Sequence, residues 1–398
     1  MPEQFLHGVE VVEIDTGPRP IRTVKSSVIG LVGTAPDADP TAFPLDTPVL
    51  VAGSLAALAS LDTTGNFAGT LPAALDGIFD QAGAMVVVVR VAEGADVAET
   101  EANVIGGVAP GTGVYTGVHA LMGAQARLGV TPRILIAPGF THRQAAGPDG
   151  PLANAVVAEL LGIAERLRAV IVADGPNTSD ADAIAFRGDW GSARVYTVDP
   201  WVLVARGGAI VPEPASARVA GMIARIDNDR GFWWSPSNQE MFGIVGTSRP
   251  VDFALGDPNS RANHLNENEV ATIIREDGFR LWGNRTCSSD PKFAFLSVRR
   301  TADLINDSLL RAHLWAVDRN ITRTYLEDVS EGVNAYLRSL KAQGAILGGR
   351  CWPDPDLNSP ANLAQGKVYF NLDFTPPYPA EHVTFRSHLV NDYLVEIL

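Results

Sequence analysis

The sequence predicts an α/β fold with a parallel central sheet, followed by an α+β region towards the C-terminus. Helical and strand patterns alternate between about residues 110 and 235, as in chains whose parallel strands are covered by helices on both faces. The run MVVVVRV at residues 85–91 is apolar at both parities, which indicates a strand buried on both faces. Beyond about residue 250 the alternation stops and longer helical patterns begin, so a second architecture is expected there.

The first 25 residues are expected to form an extended arm. The sequence Gly17-Pro18-Arg19-Pro20 prevents a helix and removes backbone hydrogen-bond donors. An arm this short cannot bury its own apolar residues, so they must lie against something else. The candidate contact residues of this arm are Val9, Val11, Val12 and Ile14.

Residues 26–110 are expected to begin the core with three strands and two helices. The strands are predicted at 26–33, 49–52 and 85–91. The first helix carries Leu55, Leu58 and Leu61 after the capping residue Ser54, and the second covers 71–81.

Residues 111–250 are expected to form an α/β domain. The predicted helices cover residues 118–128, 152–167, 181–186 and 215–226, and the predicted strands cover 134–137, 169–173 and 194–198. Their order implies a parallel sheet with helices on both faces.

Residues 251–375 are expected to form a C-terminal domain, followed by a C-terminal arm at 376–398. A hairpin is predicted from strands at 270–274 and 279–282, helices at 304–325 and 329–341, and a strand at 367–373. The last segment fits either a strand, with apolar residues at odd positions, or a helix. The candidate contact residues of this arm are Phe385, Leu389, Tyr393, Val395 and Ile397.

Composition disfavours several classes of function. Lys and Arg number 31 and Asp and Glu number 45, which gives a net charge of −14 and argues against a general nucleic-acid coat. The two cysteines, Cys287 and Cys351, lie far apart without metal-binding spacing, so reduced thiols are expected. No signal peptide or membrane-spanning run is predicted, and the seven scattered histidines indicate no metal site.

Two motifs only weakly resemble catalytic or cofactor sites. The glycines Gly111, Gly113 and Gly117 nearly match a dinucleotide-binding loop, but the third is one position late and no strand precedes them. The sequence around Ser248 resembles the nucleophile turn of subtilisin-like proteases, although its partners lack recognisable motifs. Those partners would be Asp37 or Asp39 with His119 or His142. We therefore predict no catalytic, cofactor-binding or metal residues.

A basic segment interrupts the acidic chain. Residues 275–325 hold nine basic and six acidic side chains, a local charge of +3, which leaves −17 for the rest of the chain. Either a solvated helical face or a surface that docks an acidic partner would give this pattern.

Several blocks together resemble the tail sheath family of P2-like phages and R-type pyocins. They keep the family's order across nearly the full length, with the least support at about 35–110. The blocks are LHGVEVVEIDTG at 6–17 leading into SSVIG at 26–30, GFWWSPSN at 231–238, EDGFRLWGNRT at 276–286 and VYFNLDFTPPY at 368–378.

The resemblance implies a structural subunit that forms stacked hexameric rings around a tail tube and contracts to drive the tube through a cell envelope. It implies arms that add strands to neighbouring subunits, a subtilisin-like fold for residues 111–250, and a C-terminal domain that faces the tube. The tube-facing candidates are Arg299, Arg300, Arg311 and Arg319.

The partners implied are the tail tube, baseplate and tail terminator proteins, with no direct contact to nucleic acid or membrane. The implied location is a virion tail assembled in the host cytoplasm. Two alternatives stay open, namely a subtilisin-like hydrolase and a sheath of a bacteriocin or other injection particle that would share every feature above.

Overall fold

A computed structural model describes residues 21–53, 55–148 and 150–397, which divide into two compact units. The larger unit comprises Lys25–Arg300 and Tyr378–Leu398, and the smaller comprises Thr301–Pro377 with the described part of Met1–Val24. The chain therefore passes between the units after Val24, after Arg300 and after Pro377. None of the described helices is long and apolar enough to cross a bilayer.

The strands, in chain order, are β1 Ile29–Thr34, β2 Val49–Ala52, β3 Met85–Val91, β4 Gly107–Val108, β5 Tyr115–Thr116, β6 Ile134–Ile136, β7 Ala146–Gly147, β8 Gly150–Pro151, β9 Val170–Asp174, β10 Val195–Val198, β11 Val202–Arg206, β12 Ala209–Glu213, β13 Gln239–Glu240, β14 Gly246–Thr247, β15 Val270–Arg275, β16 Phe279–Trp282, β17 Gly348–Pro353 and β18 Phe370–Thr375.

The helices, in chain order, are α1 Leu55–Leu61, α2 Leu71–Phe79, α3 Val97–Ile105, α4 Ala124–Leu128, α5 Ala155–Leu167, α6 Asp180–Gly188, α7 Ser216–Asp229, α8 Arg261–Glu267, α9 Leu296–Ala312, α10 Arg323–Ala342 and α11 Pro360–Ala364.

The larger unit is built on a nine-stranded mixed sheet. Its strand order is β13-β16-β15-β10-β9-β6-β1-β3-β2, and the six strands from β15 to β3 run parallel. Strand β2 is antiparallel to β3 at one end of the sheet. At the other end, β16 is antiparallel to β15, and β13 is antiparallel to β16. The predicted parallel sheet is confirmed.

Each face of this sheet carries its own hydrophobic core. In β3, Val86 and Val88 join the core that includes α2 and α7, whereas Val87 and Val89 join the core that includes α3 and α5. Successive side chains of a strand point to opposite faces, so a strand covered on both faces must be apolar throughout. The predicted helices on both faces are confirmed.

A glycine in β1 allows α2 to approach the sheet closely. A Cβ atom on Gly33 would lie 2.2 Å from the Thr70 hydroxyl oxygen. That hydroxyl accepts a hydrogen bond from the backbone N–H of Thr34 at 3.2 Å, and the Thr70 N–H donates to the Thr34 carbonyl at 2.9 Å. The start of α2 is thus fixed against the end of β1.

Several elements of the larger unit were not predicted. They include the three-stranded sheet β12-β11-β14, the hairpin of β7 and β8, and helix α3. The polar, loop-like sequence of residues 251–268 contains α8, whose start is capped by Ser260. This helix has only seven residues and polar ones among them, so its hydrophobic period is too short to detect.

The smaller unit corrects the prediction of one helix over 304–325. Helix α9 ends at Ala312, and Asp318 adopts the left-handed conformation with φ of 62°. The Thr322 hydroxyl then accepts a hydrogen bond from the Tyr325 N–H and starts α10. Leu314, Val317 and Ile321 continue the apolar period across this break, which made two helices resemble one.

Strands β17 and β18 pair in antiparallel fashion along six residues each, and β17 lies against α10. The side chain of Asn334 in α10 holds the hairpin, because its amide oxygen accepts from the Cys351 N–H at 2.7 Å and its amide nitrogen donates to the Cys351 carbonyl at 2.9 Å. Both Cys287 and Cys351 are free and buried.

Candidate assembly surfaces

The smaller unit contains a groove of about 810 Å³ beside its two-stranded sheet. Aliphatic and aromatic side chains of α9, α10 and β18 dominate its lining. Among the lining residues are Leu309, Tyr325, Val329, Val333, Val368, Phe370 and Leu372. The three alternating apolar residues of the predicted strand at 367–373 therefore all face this groove.

Neither outer edge of the sheet formed by β17 and β18 pairs with another strand among the described residues. Unpaired edges present N–H and C=O groups that can pair with an added strand. Asn334 caps part of the β17 edge by taking both backbone groups of Cys351, so the groove and the outer edge of β18 together form the acceptor surface for an extended apolar segment.

The C-terminal segment carries large apolar side chains that its own chain leaves in solvent. Phe385 is 91% exposed, Leu389 is 100% exposed and Tyr393 is 72% exposed. Residues 378–391 form no strand or helix, and Asp392–Ile397 is a short 3-10 helix. The side chains of Val395 and Ile397 lie outside the described set.

The four candidates of the N-terminal arm, Val9, Val11, Val12 and Ile14, also lie outside the described residues. The first described part of this arm is attached within the smaller unit. The Thr23 hydroxyl lies 2.9 Å from the Tyr336 hydroxyl, and the Val24 N–H donates to the Ser308 hydroxyl at 3.0 Å.

Two of the four candidate arginines lie in the last turn of α9 or in the segment that follows it, among exposed apolar side chains. Arg311 is exposed and pairs with Asp307 in the same helix at 3.1 Å. Arg319 is exposed, donates to the Trp315 carbonyl at 3.2 Å and lies over the Trp315 ring. Apolar side chains are exposed around them at Leu310, Leu314 and Val317.

The other two arginines have different environments. Arg299 is half-buried, with its guanidinium 4.2 Å from the centre of the Phe293 ring. Arg300 is only 4% exposed and forms a two-bond ion pair with Asp227 of α7. The prediction of Arg300 as a tube-facing residue is therefore wrong, because its side chain is buried and its charge is neutralised inside the subunit.

Comparison with known proteins decides the family. Residues 113–287 match the model described as phage tail sheath protein central domain, and residues 288–389 match the phage tail sheath C-terminal domain. Residues 26–91 match the N-terminal region of domain III of the tail sheath protein Gp18. The chain is 45% identical to a prophage major tail sheath protein of Pseudomonas aeruginosa strain UCBPP-PA14, over 99% of both chains. The chain belongs to the phage tail sheath family.

Other relatives agree with this family. The tail sheath protein of Escherichia phage P2 is 37% identical over 99% of this chain and 98% of its own. The helical sheath of the anti-feeding prophage in its contracted state shares the fold, with a TM-score of 0.71 and 21% identity over 97% of this chain and 99% of that one. These relatives identify the chain as a phage-type tail sheath subunit.

The sheath subunit holds Ser248 in a structural role. Its hydroxyl donates to the Asn177 side-chain oxygen and to the Trp201 carbonyl, not to a histidine. The ring of His142 packs edge-on against Trp201 at 4.8 Å, and burial lowers the pKa of His142 to about 4. This imidazole is therefore neutral at pH 7, and its contact with Trp201 is a packing contact.

The remaining residues of the hydrolase hypothesis each have their own partner. His119 lies 2.9 Å from the Glu159 carboxylate. Asp37 accepts from the Thr64 hydroxyl at 2.8 Å. Asp39 accepts from the Thr41 N–H at 2.8 Å. The structure does not bring these groups to Ser248.

In the glycine-rich segment at 111–117, Gly111 and Gly113 lie in a hairpin connection and Gly117 follows strand β5. Strands β4 and β5 pair on either side of this connection, with Gly107 opposite Thr116. A 3-10 helix, Gly117–Gly123, follows β5. Gly111 and Gly113 both have positive φ, which is what a tight turn between paired strands requires.

A fully buried carboxylate in this sheath subunit joins the nine-stranded sheet to α7. Asp174 at the end of β9 is fully buried and accepts bonds from the backbone and hydroxyl of Ser216 and from the Thr141 hydroxyl. Burial raises its pKa to about 6 against these hydrogen bonds. The residue fixes the start of α7, and no pattern in the sequence pointed to it.

Proposed function

We propose that this subunit polymerises as stacked hexameric rings around a tail tube, and that its two arms add strands to neighbouring subunits. The observation that carries the proposal is complementarity within one chain. The smaller unit has an open two-stranded sheet beside an apolar groove, and the C-terminal segment has exposed apolar side chains that fit such a groove. Strand addition combines backbone pairing with burial of alternate side chains.

The proposed polymer contracts to drive the tube through a cell envelope. In this proposal the energy is stored at assembly, on the tube and baseplate, and is released when contacts between subunits repack. Each subunit needs to contribute only about 1–3 kcal/mol, the usual scale of conformational coupling, because all subunits act together. The tail terminator completes the set of partners, and the proposed site of assembly is the host cytoplasm.

We also propose that residues 111–250 have a subtilisin-like fold without proteolytic function. The parallel sheet with helices on both faces supports the fold. The partners of Ser248, Asn177 and the Trp201 carbonyl, support a structural role for that serine. A fold shared with proteases carries no activity by itself.

Removing the N-terminal arm tests strand addition. A chain that starts at Pro20 should stay soluble and melt cooperatively, because the two hydrophobic cores of the larger unit are built from residues from Val28 onwards. It should form no tubes in negative-stain electron micrographs, because a strand is missing from each neighbour's sheet. Normal tubes from this chain would show that another contact holds the lattice, and global unfolding would show that the arm belongs to its own subunit.

We propose that the exposed end of α9 faces the tube, with Arg311 and Arg319 on an acidic partner surface. The substitution Arg311→Glu should weaken assembly on tubes and leave self-assembly of the sheath intact, because Arg311 is not a lining residue of the groove, whereas Arg319 is. Exposed ion pairs are weak singly, but each ring repeats them, and salt should weaken them further.

The matched control is Arg338→Glu, an exposed arginine of α10 that pairs with Glu331. It makes the same kind of charge change elsewhere and should leave tube binding unchanged. Co-sedimentation with purified tubes measures both. Equal binding by Arg311→Glu and the wild type would refute a tube-facing α9.

A further inference from the structure

One short segment of the larger unit, residues 284–300, holds the roots of both arms. On the N-terminal side, the carbonyl of Ser26 accepts a hydrogen bond from the Arg300 guanidinium at 3.2 Å. On the C-terminal side, the carboxylate of Glu381 accepts two bonds from Arg285, at 2.8 and 2.6 Å. Ser26 and Glu381 are each within four residues of a point where the chain passes between the units.

The segment that holds both attachments is closed on itself. Arg285 and Phe295 form an antiparallel bridge. The Leu296 N–H donates to the Asn284 carbonyl at 3.0 Å, and the Thr286 N–H donates to the Ala294 carbonyl at 2.7 Å. Residues 284–296 therefore form a bonded loop that continues directly into the first turn of α9.

Aromatic contacts strengthen the C-terminal attachment. The ring of Tyr378, the first residue after the third passage, lies edge-on to the Phe295 ring at 6.0 Å. The Arg285 guanidinium lies 5.5 Å from the centre of the same ring. Phe295 thus contacts both the guanidinium that holds Glu381 and the start of the arm itself.

The N-terminal attachment is anchored in the core. Arg300 and the side chain of Asp227 are almost completely buried, with atoms 2.7 and 2.5 Å apart in two parallel bonds. Such paired bonds fix the guanidinium plane as well as its position. The nitrogen that holds Ser26 is therefore oriented by α7.

We propose that residues 284–300 are a mechanical junction that joins the roots of the two arms to each other and holds both of them to the core of the larger unit, through Asp227 of α7 and Val195 of β10. The inference rests on the proposed strand addition by both arms. In a lattice linked through arms, each subunit is pulled at both roots. Arg300 receives the pull at Ser26, Arg285 receives it at Glu381, and the bonded loop joins the two arginines.

The exposed pair of Arg285 and Glu381 allows a test that does not disturb folding. Their side chains are 38% and 39% exposed, so the pair contributes little to the stability of the isolated subunit. Arg285→Glu should leave the melting temperature unchanged. It should raise the concentration of soluble subunit in equilibrium with tubes by about tenfold or more, the effect of losing one well-formed contact. The double variant Arg285→Glu with Glu381→Arg should restore wild-type assembly.

Three comparisons make the outcome decisive. Arg338→Glu breaks another exposed arginine–glutamate pair and should not change assembly. The junction would be overturned if the double variant Arg285→Glu with Glu381→Arg failed to assemble. It would also be overturned if Arg285→Glu alone assembled normally. The chain that starts at Pro20 distinguishes failure of the junction from failure of strand addition. If this chain forms normal tubes, the proposed strand addition is wrong. If it forms no tubes while Arg285→Glu assembles normally, only the junction is wrong.

Discussion

Replacing Arg300 by alanine is expected to lower the free energy of unfolding by about 3–5 kcal/mol, the cost of breaking one partner out of a buried ion pair. The substitution would leave the Asp227 carboxylate buried without its two hydrogen bonds. It would also release the carbonyl of Ser26. The fraction of folded subunit, and with it every assembly step, should fall.

Chemical denaturation of the purified subunit measures this effect. Arg311→Ala is the matched control, since Arg311 belongs to the same helix but is exposed and should change stability by less than about 1 kcal/mol. The double substitution Arg300→Met with Asp227→Leu should recover most of the loss, because it removes both charges and fills the space. Equal stability of Arg300→Ala and the wild type would contradict the importance of the pair.

Replacing Phe385 and Leu389 by aspartate should abolish tube formation without a change in the stability of the subunit. Both side chains are at least 91% exposed, so the isolated subunit does not use them. Burial of each in a neighbour's groove would contribute about 1.5–3 kcal/mol to the lattice contact. An aspartate at either position would instead carry a charge into an apolar groove, which is costly.

The same segment supplies a matched control at even positions. Thr384→Asp with His388→Asp adds two carboxylates to exposed positions of opposite parity and should be tolerated in a strand whose odd positions face the groove. Size-exclusion chromatography and electron microscopy of both double variants give the readout. Tubes from the Phe385 and Leu389 variant, or loss of tubes from both variants, would reject the predicted parity.

The sheet of the larger unit was predictable because its signals are local. The strand β3 is apolar at every buried position, and α7 has a helical period long enough to detect. The hairpin of β15 and β16 was marked by Asp277 and Gly278 at its turn, and both have positive φ. The two-residue strands and the short helices contain too few residues for a hydrophobic period to be detected.

The assembly surfaces were only partly predictable, because they depend on distant residues. The apolar parity of the C-terminal segment was visible, but the groove is formed by α9, α10 and β18 together. The burial of Arg300 was not predictable for the same reason. A charged residue on an amphipathic helix normally faces solvent, and only the fold brings Asp227, 73 positions away, into contact with it.

The edges of the two main sheets differ in a way that bears on aggregation. The nine-stranded sheet ends in the two-residue strand β13 on one side and the four-residue strand β2 on the other. Short edge strands offer little backbone for another copy to pair with, whereas a long exposed edge promotes uncontrolled fusion of sheets. Strands β17 and β18 are six residues long, with outer edges that no other described strand occupies. Between these two sheets, crowded copies of this chain would therefore fuse through the outer edge of β18, which Asn334 does not cap, and this edge coincides with the proposed site of ordered growth.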